Sequence, residues 1–171
     1  VGALNSIARV LLPQAVRLMA KVYPGVELDV HEVSPGEALE LLYGRRLTVA
    51  IVAADSVASS GVSFHKMEVF SDPYVLAVPK GLDLSKVEDS WADLDDGARG
   101  VLNSCIQFNF GTPHQRRMEA WYHKAIPQHR VISQSRTYEV ALSLVQEGIG
   151  VAVVPALTAR IGKNNTFDVD L

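Results

Sequence analysis

The sequence predicts an α/β fold, in which a mainly parallel sheet carries helices on its faces. Segments with strand-like and helix-like apolar patterns alternate along the whole chain. Two short runs, residues 47–53 and 149–154, are nearly all apolar, as expected of strands that are covered on both faces. Hydrophobic residues make up 48% of the 171 positions, enough to build a core, so a disordered chain is excluded.

The first part of the chain predicts two helices and two strands. In residues 7–23, apolar side chains recur at steps of three and four, and Pro13 divides this segment into a short turn and a longer helix. Residues 26–30 alternate between apolar and polar side chains, the pattern of a half-buried strand. A short helix over residues 35–43 and a buried strand over residues 47–53 complete this part.

The rest of the chain continues the alternation. Strands are predicted at residues 63–70, 74–79, 101–108, 130–134 and 149–154. Helices are predicted at residues 113–125 and 137–147, and Gly148 ends the second of them. Between residues 80 and 100 we expect a loop with one helical turn near residues 91–94, and we interpret the acidic stretch at residues 93–97 as solvated.

The composition excludes several classes of protein. The 16 Lys and Arg residues against 19 Asp and Glu give a net charge of -3, which argues against direct binding of this segment to nucleic acid or to an anionic membrane. The longest apolar stretch, residues 149–157, is far shorter than a membrane span. The single cysteine, Cys105, cannot form an internal disulfide, and its place within a predicted strand favours a buried, unreactive thiol.

The most informative local features are the helix starts that follow strands. Ser34 and Pro35 open a capping box. Asn5 and Ser6 precede the first helix, and Thr137 precedes the last clear one. In a parallel α/β sheet such loops gather at the carboxyl ends of the strands, where free N–H groups and helix dipoles suit an anionic ligand. The alternative interpretation is that these residues cap the helices for stability alone.

Residues 108–110 form a loop with two aromatic side chains just before a helix. Phe108, Asn109 and Phe110 either wall a ligand pocket or staple the helix to the core. We expect no arginine in the proposed binding loops, and therefore no arginine clamp. We expect a small organic acid whose carboxylate accepts from the hydroxyls of Ser6 and Ser34.

The sequence contains no arrangement of residues that indicates catalysis. It lacks a Gly-x-Ser-x-Gly elbow and a phosphate-binding loop ending in Gly-Lys-Ser/Thr. None of its five histidines stands at metal-ligand spacing from another. We therefore predict no catalytic residues, no cofactor and no metal site.

Four segments, in this order along the chain, resemble the effector-binding domain of LysR-type transcriptional regulators. They are residues 11–13 (LLP), 23–28 (YPGVEL), 38–42 (ALELL) leading into 47–52 (LTVAIV), and 144–155 (LVQEGIGVAVVP). Thr48 departs from the family's usual Leu-Asp at that point. The resemblance covers essentially the whole chain.

The resemblance implies a two-lobed fold like that of type 2 periplasmic binding proteins, each lobe a mainly parallel sheet flanked by helices. The first lobe would comprise residues 1–71 and 166–171, and the second residues 72–165. Effectors of this family bind between the lobes, and the family's pattern assigns this role to the helix starts and the aromatic loop already identified. The implied ligand-binding residues are Asn5, Ser6, Ser34, Pro35, Phe108, Asn109, Phe110 and Thr137.

The resemblance also implies a function and partners. We expect a cytoplasmic sensor rather than an enzyme, which binds DNA only through an N-terminal winged helix-turn-helix absent from this chain. It would form a dimer, or a tetramer as the full-length protein, through the helices at residues 12–23 and 137–147. The alternative is a solute-binding protein of a transport system with the same fold, which a signal peptide before Val1 would reveal.

Overall fold

The computed structural model describes residues 1–54, 64–88, 92–109, 113–161 and 164–171. Contacts between residues divide the chain into two compact units, Val1–Ser71 and Asp72–Leu171. The boundary after residue 71 coincides with the first lobe boundary that the resemblance implies, whereas residues 166–171 lie in the second unit. No helix in the described ranges combines the length and the apolar character that crossing a membrane requires.

Unit 1 contains three short parallel strands and three helices. The strands are β1 (Gly2–Ala3), β2 (His31–Glu32) and β3 (Ala50–Ile51), and the helices are α1 (Asn5–Val10), α2 (Leu12–Val22) and α3 (Pro35–Tyr43). β1 is the middle strand, with β2 on one side and β3 on the other. The chain therefore runs from the middle strand β1 to the edge strand β2, and then crosses to the opposite edge strand β3.

The helices of unit 1 follow the sequence patterns closely. The break in the first helical segment falls at Leu11, so that Pro13 lies in the first turn of α2, where its missing N–H costs nothing. The prediction of a strand at residues 26–30 is wrong: the strand is His31–Glu32, and Val26 is 55% exposed. The strand predicted at residues 47–53 is reduced to Ala50–Ile51.

Unit 2 contains seven strands and four helices among its described residues. The strands are β4 (Tyr74–Pro79), β5 (Ser104–Phe108), β6 (Arg130–Ser135), β7 (Ala152–Pro155), β8 (Arg160–Ile161), β9 (Asn164–Asn165) and β10 (Val169–Asp170). The helices are α4 (Asp96–Leu102), α5 (Pro113–Ala125), α6 (Tyr138–Gln146) and α7 (Ala156–Ala159).

The main sheet of unit 2 is mixed rather than mainly parallel. β4 pairs antiparallel with both β7 and β10, while β5 and β6 are parallel. Val151, just before β7, joins the two parts, because its carbonyl accepts from Ile106 N at 2.9 Å and its N–H donates to Ser104 O at 2.8 Å. Gly150 permits this close approach, since a Cβ there would collide with the Ser104 carbonyl.

The core of unit 2 lies on both faces of this sheet. One cluster packs α6 against β4, β5 and β7, and includes Ile106, Leu142 and Val154. The other cluster packs α5 against β4, β5 and β7, and includes Cys105 and Tyr122. Cys105 is fully buried, as predicted, and this burial raises the pKa of its thiol to about 12.

Two further sequence predictions in this region are wrong. Residues 64–70 form no strand, and Met67 is 76% exposed, because no neighbouring strand pairs with this apolar segment; residue 63 lies outside the described residues. The strand predicted at residues 101–108 begins only at Ser104, since α4 precedes it. Asp95, which we interpreted as part of a solvated loop, caps α4 by accepting from Ala98 N at 2.7 Å.

The C-terminal segment belongs to unit 2 by its contacts, whereas the resemblance assigns residues 166–171 to the first lobe. Val169 is opposite Pro79 in the β10–β4 pair and is buried in the core. Asp168 forms an ion pair of 2.5 Å with Lys80, and Asp170 accepts from Gly81 N at 2.9 Å. These bonds hold the segment beside β4.

Candidate functional site

The two helices of unit 1 that follow strands, α1 and α3, start at the same end of its sheet, where the strands have their carboxyl ends. Ala3 ends β1 and Glu32 ends β2, and Val33 N donates to Ala3 O at 3.0 Å, so the two strand ends are adjacent. α1 and α3 begin there. α1 and α2 connect β1 to β2, and α3 connects β2 to β3 on the other side of β1; ligands of open α/β sheets bind outside the carboxyl ends of the strands.

Asn5 and Ser6 are the first residues of α1 rather than the residues before it. Leu4 occupies the N-cap position and provides no side-chain cap. Asn5 Nδ2 donates to Glu32 Oε2 at 2.8 Å, while Asn5 Oδ1 is buried with no hydrogen-bond partner among the described residues. Ser6 is only 6% exposed. The structure thus places Asn5 beside the Glu32 carboxylate at the end of β2, while Ser6 is buried in the first turn of α1.

Ser34 and Pro35 form the predicted start of α3. Ser34 Oγ accepts from Glu37 N at 3.3 Å, and Ser34 N donates to Glu37 Oε2 at 2.8 Å, so the capping box is confirmed. Pro35 is buried at the first helical position. The Ser34 hydroxyl still has its proton to donate. However, the carboxylate of Glu37 already lies at this helix start, where it opposes a second negative charge.

Three predicted residues of unit 2 come together at the carboxyl ends of β5 and β6. Asn109 N donates to Ser135 O at 2.8 Å, and Asn109 Nδ2 donates to Gln134 Oε1 at 2.9 Å. Phe108 is the last residue of β5. Thr137 caps α6, and its Oγ1 accepts from Val140 N at 3.3 Å. Phe110 lies outside the described residues.

Phe108 packs mainly as part of the core. Its ring stacks on that of Tyr138 with centroids 3.9 Å apart and an interplanar angle of 12°. Tyr138 shares a side-chain hydrogen bond with Tyr74, and burial raises the pKa of the Tyr138 phenol well above its ordinary value. Of the two interpretations of the aromatic loop, this geometry favours the staple for Phe108, which is half-buried.

Arg136 is the residue that the sequence argument missed. It stands between Ser135, at the end of β6, and Thr137, the cap of α6, and it is exposed. The expectation of binding loops without an arginine is therefore wrong for the segment that leads from β6 to Thr137. The signal was present in the sequence, since Arg136 is adjacent to a predicted ligand-binding residue at the same kind of strand-to-helix junction.

Both strand-to-helix junctions carry charged residues. In unit 1 the carboxylates of Glu32 and Glu37 lie beside the predicted residues. In unit 2 the exposed Arg136 precedes α6, and Glu139 lies in the first turn of that helix. Over the described ranges, no three His, Cys, Asp or Glu side chains come together as metal ligands would. The chemistry available at these edges is therefore hydrogen bonding and ion pairing.

Comparison with protein families gives a match over nearly the whole chain. The model described as "LysR substrate binding domain" matches residues 1–165. Two transcriptional regulators are each 27% identical to the chain: the HTH-type regulator YofA of Bacillus velezensis over 168 residues, and the malonate utilization regulator of Klebsiella pneumoniae over 163 residues. These alignments cover 96% and 94% of this chain but 52% and 51% of the relatives. The chain spans about half the length of the curated relatives it matches.

Comparison with solved structures shows the fold. The regulatory domain of CcmR from Synechocystis PCC6803 in complex with 2-PG matches with a TM-score of 0.73 at 13% identity, over 98% of this chain and 76% of that one. The effector-binding domain of QuiR in complex with shikimate matches with a TM-score of 0.70 at 14% identity, over 99% and 76%. The predicted fold class, that of type 2 periplasmic binding proteins, is confirmed.

Proposed function

Because this chain belongs to the LysR substrate-binding domain family, we propose that it senses a small organic acid for a bacterial transcriptional regulator. The family match over residues 1–165 is the observation that carries the proposal. The acid would bias the conformation of the regulator and so modulate DNA binding, which a separate N-terminal domain performs in the cytoplasm. A ligand shifts such an equilibrium only by binding one state more tightly than another.

The binding residues we propose are those at the carboxyl edges of the two sheets. They are Asn5, Ser6, Ser34 and Pro35 in unit 1, and Phe108, Asn109, Phe110 and Thr137 in unit 2. In unit 1 the hydroxyls of Ser6 and Ser34 would donate to oxygen atoms of the effector. In unit 2 the half-buried ring of Phe108 would add an apolar contact, and ligand pockets usually combine polar anchors with apolar walls.

The comparisons favour a regulator over the transport alternative, since both curated relatives are transcriptional regulators. We propose that the chain acts as a sensor and not as an enzyme. Solved relatives of the same fold are complexes with 2-PG and with shikimate, both of which are small molecules. These relatives support a small acid as the chemical class of the effector.

We propose that two copies of the chain associate through α2 and α6. On α2, Leu18 is 59% and Val22 is 67% exposed, and both follow one stripe of the helix. On α6, Val140 is exposed, while Ala141 and Val145 face the core. Apolar side chains in excess of those the core uses are typical of a protein–protein interface.

The experiment that tests the binding proposal is a thermal-shift screen of carboxylates against wild type and the Ser6→Ala, Ser34→Ala double variant. Losing both hydroxyls should weaken binding by roughly 1–3 kcal/mol if they donate to a charged group. Since Ser34→Ala also removes the cap of α3, each shift is measured against the same variant without ligand. Ser143→Ala, which removes a hydroxyl bonded to Glu139 O within α6, serves as the control.

A wild-type protein that no carboxylate stabilises would contradict the proposed ligand class. Stabilisation that the double variant retains in full would show that the acid binds without Ser6 and Ser34.

A further inference from the structure

A groove on the surface of unit 2 lies at the amino ends of β5 and β6. One wall is a face of α4, and the other is formed by the loop between α5 and β6 together with the first residue of β6. Its volume is about 380 Å³, which is within the range of sites that hold small molecules. The lining residues are Asp96, Arg99, Gly100, Asn103, Gln128 and Arg130.

Gly100 leaves the space between the two walls open. A Cβ at this position would meet no atom within 4 Å outside the adjoining residues and the helix backbone. The backbone of Gly100 does not have a positive φ, so its conformation does not require glycine. A glycine within a helix is also less favourable than an alanine. Helix stability therefore does not account for this glycine, whereas room for a ligand does.

The polar side chains that line the groove have unused donors. Those of Asn103, Gln128 and Arg130 form no hydrogen bond or ion pair with another described residue. The carbonyl groups at the end of α4, which would repel an anion, are already engaged. Gly100 O accepts from Ser104 Oγ, and Asn103 O accepts from Arg130 N, both at 2.7 Å. The groove therefore suits a ligand that is rich in acceptor oxygens.

The charges of the lining residues favour an anion. The one carboxylate among them, that of Asp96, is bonded to the guanidinium of Arg99, which also donates to Leu94 O at 2.8 Å. These two charges offset each other, and the exposed guanidinium of Arg130 adds a positive charge. A guanidinium binds a carboxylate or a phosphate group through two parallel hydrogen bonds.

The backbone of the loop wall is held in place. His129 N donates to Ile126 O at 2.9 Å, and the His129 ring stacks on that of Tyr122 with centroids 5.4 Å apart. Tyr122 is buried in the core of unit 2. The bond from Arg130 N to Asn103 O ties this wall to the end of α4. Donors on a fixed backbone lose less freedom when a ligand binds, so more of the interaction energy appears as affinity.

We propose that this groove is a second ligand-binding site, which binds a small phosphate monoester. Arg130 binds the phosphate group, and the side-chain amides of Asn103 and Gln128 donate to it as well. A phosphate monoester has three terminal oxygens for these three side chains, whereas a carboxylate has two. The site is separate from the proposed effector residues, because Arg130 and Ser135 are the two ends of β6, roughly 16 Å apart along an extended strand.

The test is a titration of the isotope-labelled protein with glycerol phosphate, followed by NMR, with glycerol as the neutral counterpart. Arg130→Gln removes the positive charge. Gly100→Leu fills the groove, and Gly100→Ala makes the same change of backbone type while leaving most of the groove open. Arg160→Gln is the matched control, because Arg160 is an exposed arginine of unit 2 that does not line the groove.

We expect glycerol phosphate to shift the amide signals of residues 100, 103, 128 and 130 until they saturate, with a dissociation constant on the order of 1 mM or below. Glycerol should shift none of them. Arg130→Gln should weaken binding about tenfold or more, because it removes charge-assisted hydrogen bonds. Gly100→Leu should abolish binding without melting below Gly100→Ala, whereas Gly100→Ala and Arg160→Gln should bind as wild type does.

The second site is refuted if glycerol phosphate shifts none of these signals in wild type, or if Arg130→Gln and Gly100→Leu bind it as tightly as wild type. Shifts confined to the signals of Asn109 and Thr137 would place the anion at the proposed effector residues. That result would support the proposed function and refute the second site. Should Gly100→Leu melt well below wild type, Arg130→Gln decides the test, since its side chain is exposed.

Discussion

The hydroxyl of Tyr122 accepts a hydrogen bond that a backbone carbonyl of a neighbouring strand would otherwise accept. Removing this hydroxyl should destabilise unit 2. Val153 lies in β7 opposite Leu76 of β4, and its N–H donates to Tyr122 Oη at 2.8 Å instead of to a backbone carbonyl. Tyr122 is 1% exposed and comes from α5, so this bond joins a helix to the sheet in the core. Desolvation raises the pKa of this phenol well above its ordinary value.

Tyr122→Phe would delete the acceptor and keep the ring. The Val153 N–H would then be buried without a partner, which costs roughly 1–3 kcal/mol of stability. For a protein of this size, 1 kcal/mol corresponds to about 2–4 °C in Tm, so the variant should melt roughly 2–12 °C lower. The ring still packs against the same cluster, so the loss reflects the hydrogen bond and not a cavity.

The assay is urea unfolding followed by circular dichroism, with thermal melting as a second measurement. Tyr23→Phe is the control, since it makes the same chemical change at a side chain that is 62% exposed, and it should fall within about 0.5 kcal/mol of wild type. A Tyr122→Phe protein as stable as the Tyr23→Phe control would refute the reasoning. It would mean that water or a shifted strand satisfies the Val153 N–H at no cost.

Two other predictions concern the thiol and the proposed interface. Cys105 should resist a thiol reagent at pH 8 in the folded protein and react fully in urea. The reason is that burial raises the pKa of its thiol to about 12, so the thiol stays protonated. Rapid reaction of the native protein would contradict this. Because its pKa is raised by folding, ionisation of Cys105 disfavours the native state, so its effect on stability appears only as the pH rises past the ordinary thiol range. The double variant Leu18→Glu, Val22→Glu should be a monomer in light scattering at micromolar concentration, where wild type is a dimer. Because both side chains are exposed, the free energy of unfolding should fall by no more than about 1 kcal/mol. A wild-type protein that is monomeric in the same measurement would contradict the proposed pairing.

The charges at the sheet edges change how the predicted site residues are understood. The sequence pattern treats each helix start as a donor of N–H groups to an anion. At Ser34, however, the structure shows that the carboxylate of Glu37 takes that place. A capping box therefore makes a helix start less suited to a second carboxylate, although the same residues identify it as a helix start.

Some bonds that hold unit 2 together join residues far apart in the chain. Asp72 accepts from Leu157 N with both carboxylate oxygens, at 3.1 and 3.2 Å, and so caps the four-residue helix α7 from 85 residues away. Burial raises the pKa of this carboxyl, while the bond from Leu157 opposes that effect. No pattern of neighbouring residues signals such a cap, because the acceptor and the helix it caps share no local sequence.

The sequence by itself determined the features whose causes are local. The α3 helix and its cap at Ser34, and the α6 helix with its cap at Thr137, depend on side chains three or four positions apart, so the residues alone specify them. Gly150 and the apolar run after it likewise marked a buried strand. The resemblance, which rests on the order of such local motifs, identified the family correctly.

Only the tertiary structure decided which apolar segments became strands and which polar groups remained for a ligand. Residues 26–30 have a strand pattern yet stay outside the sheet, because strand formation requires backbone partners on another segment. The pairing of Asn109 with Ser135, the stacking of Phe108 on Tyr138, and the open position of Arg136 depend in the same way on distant parts of the chain. Hydrogen bonding between strands and the packing of rings are long-range interactions, and their partners are fixed only when the whole unit folds.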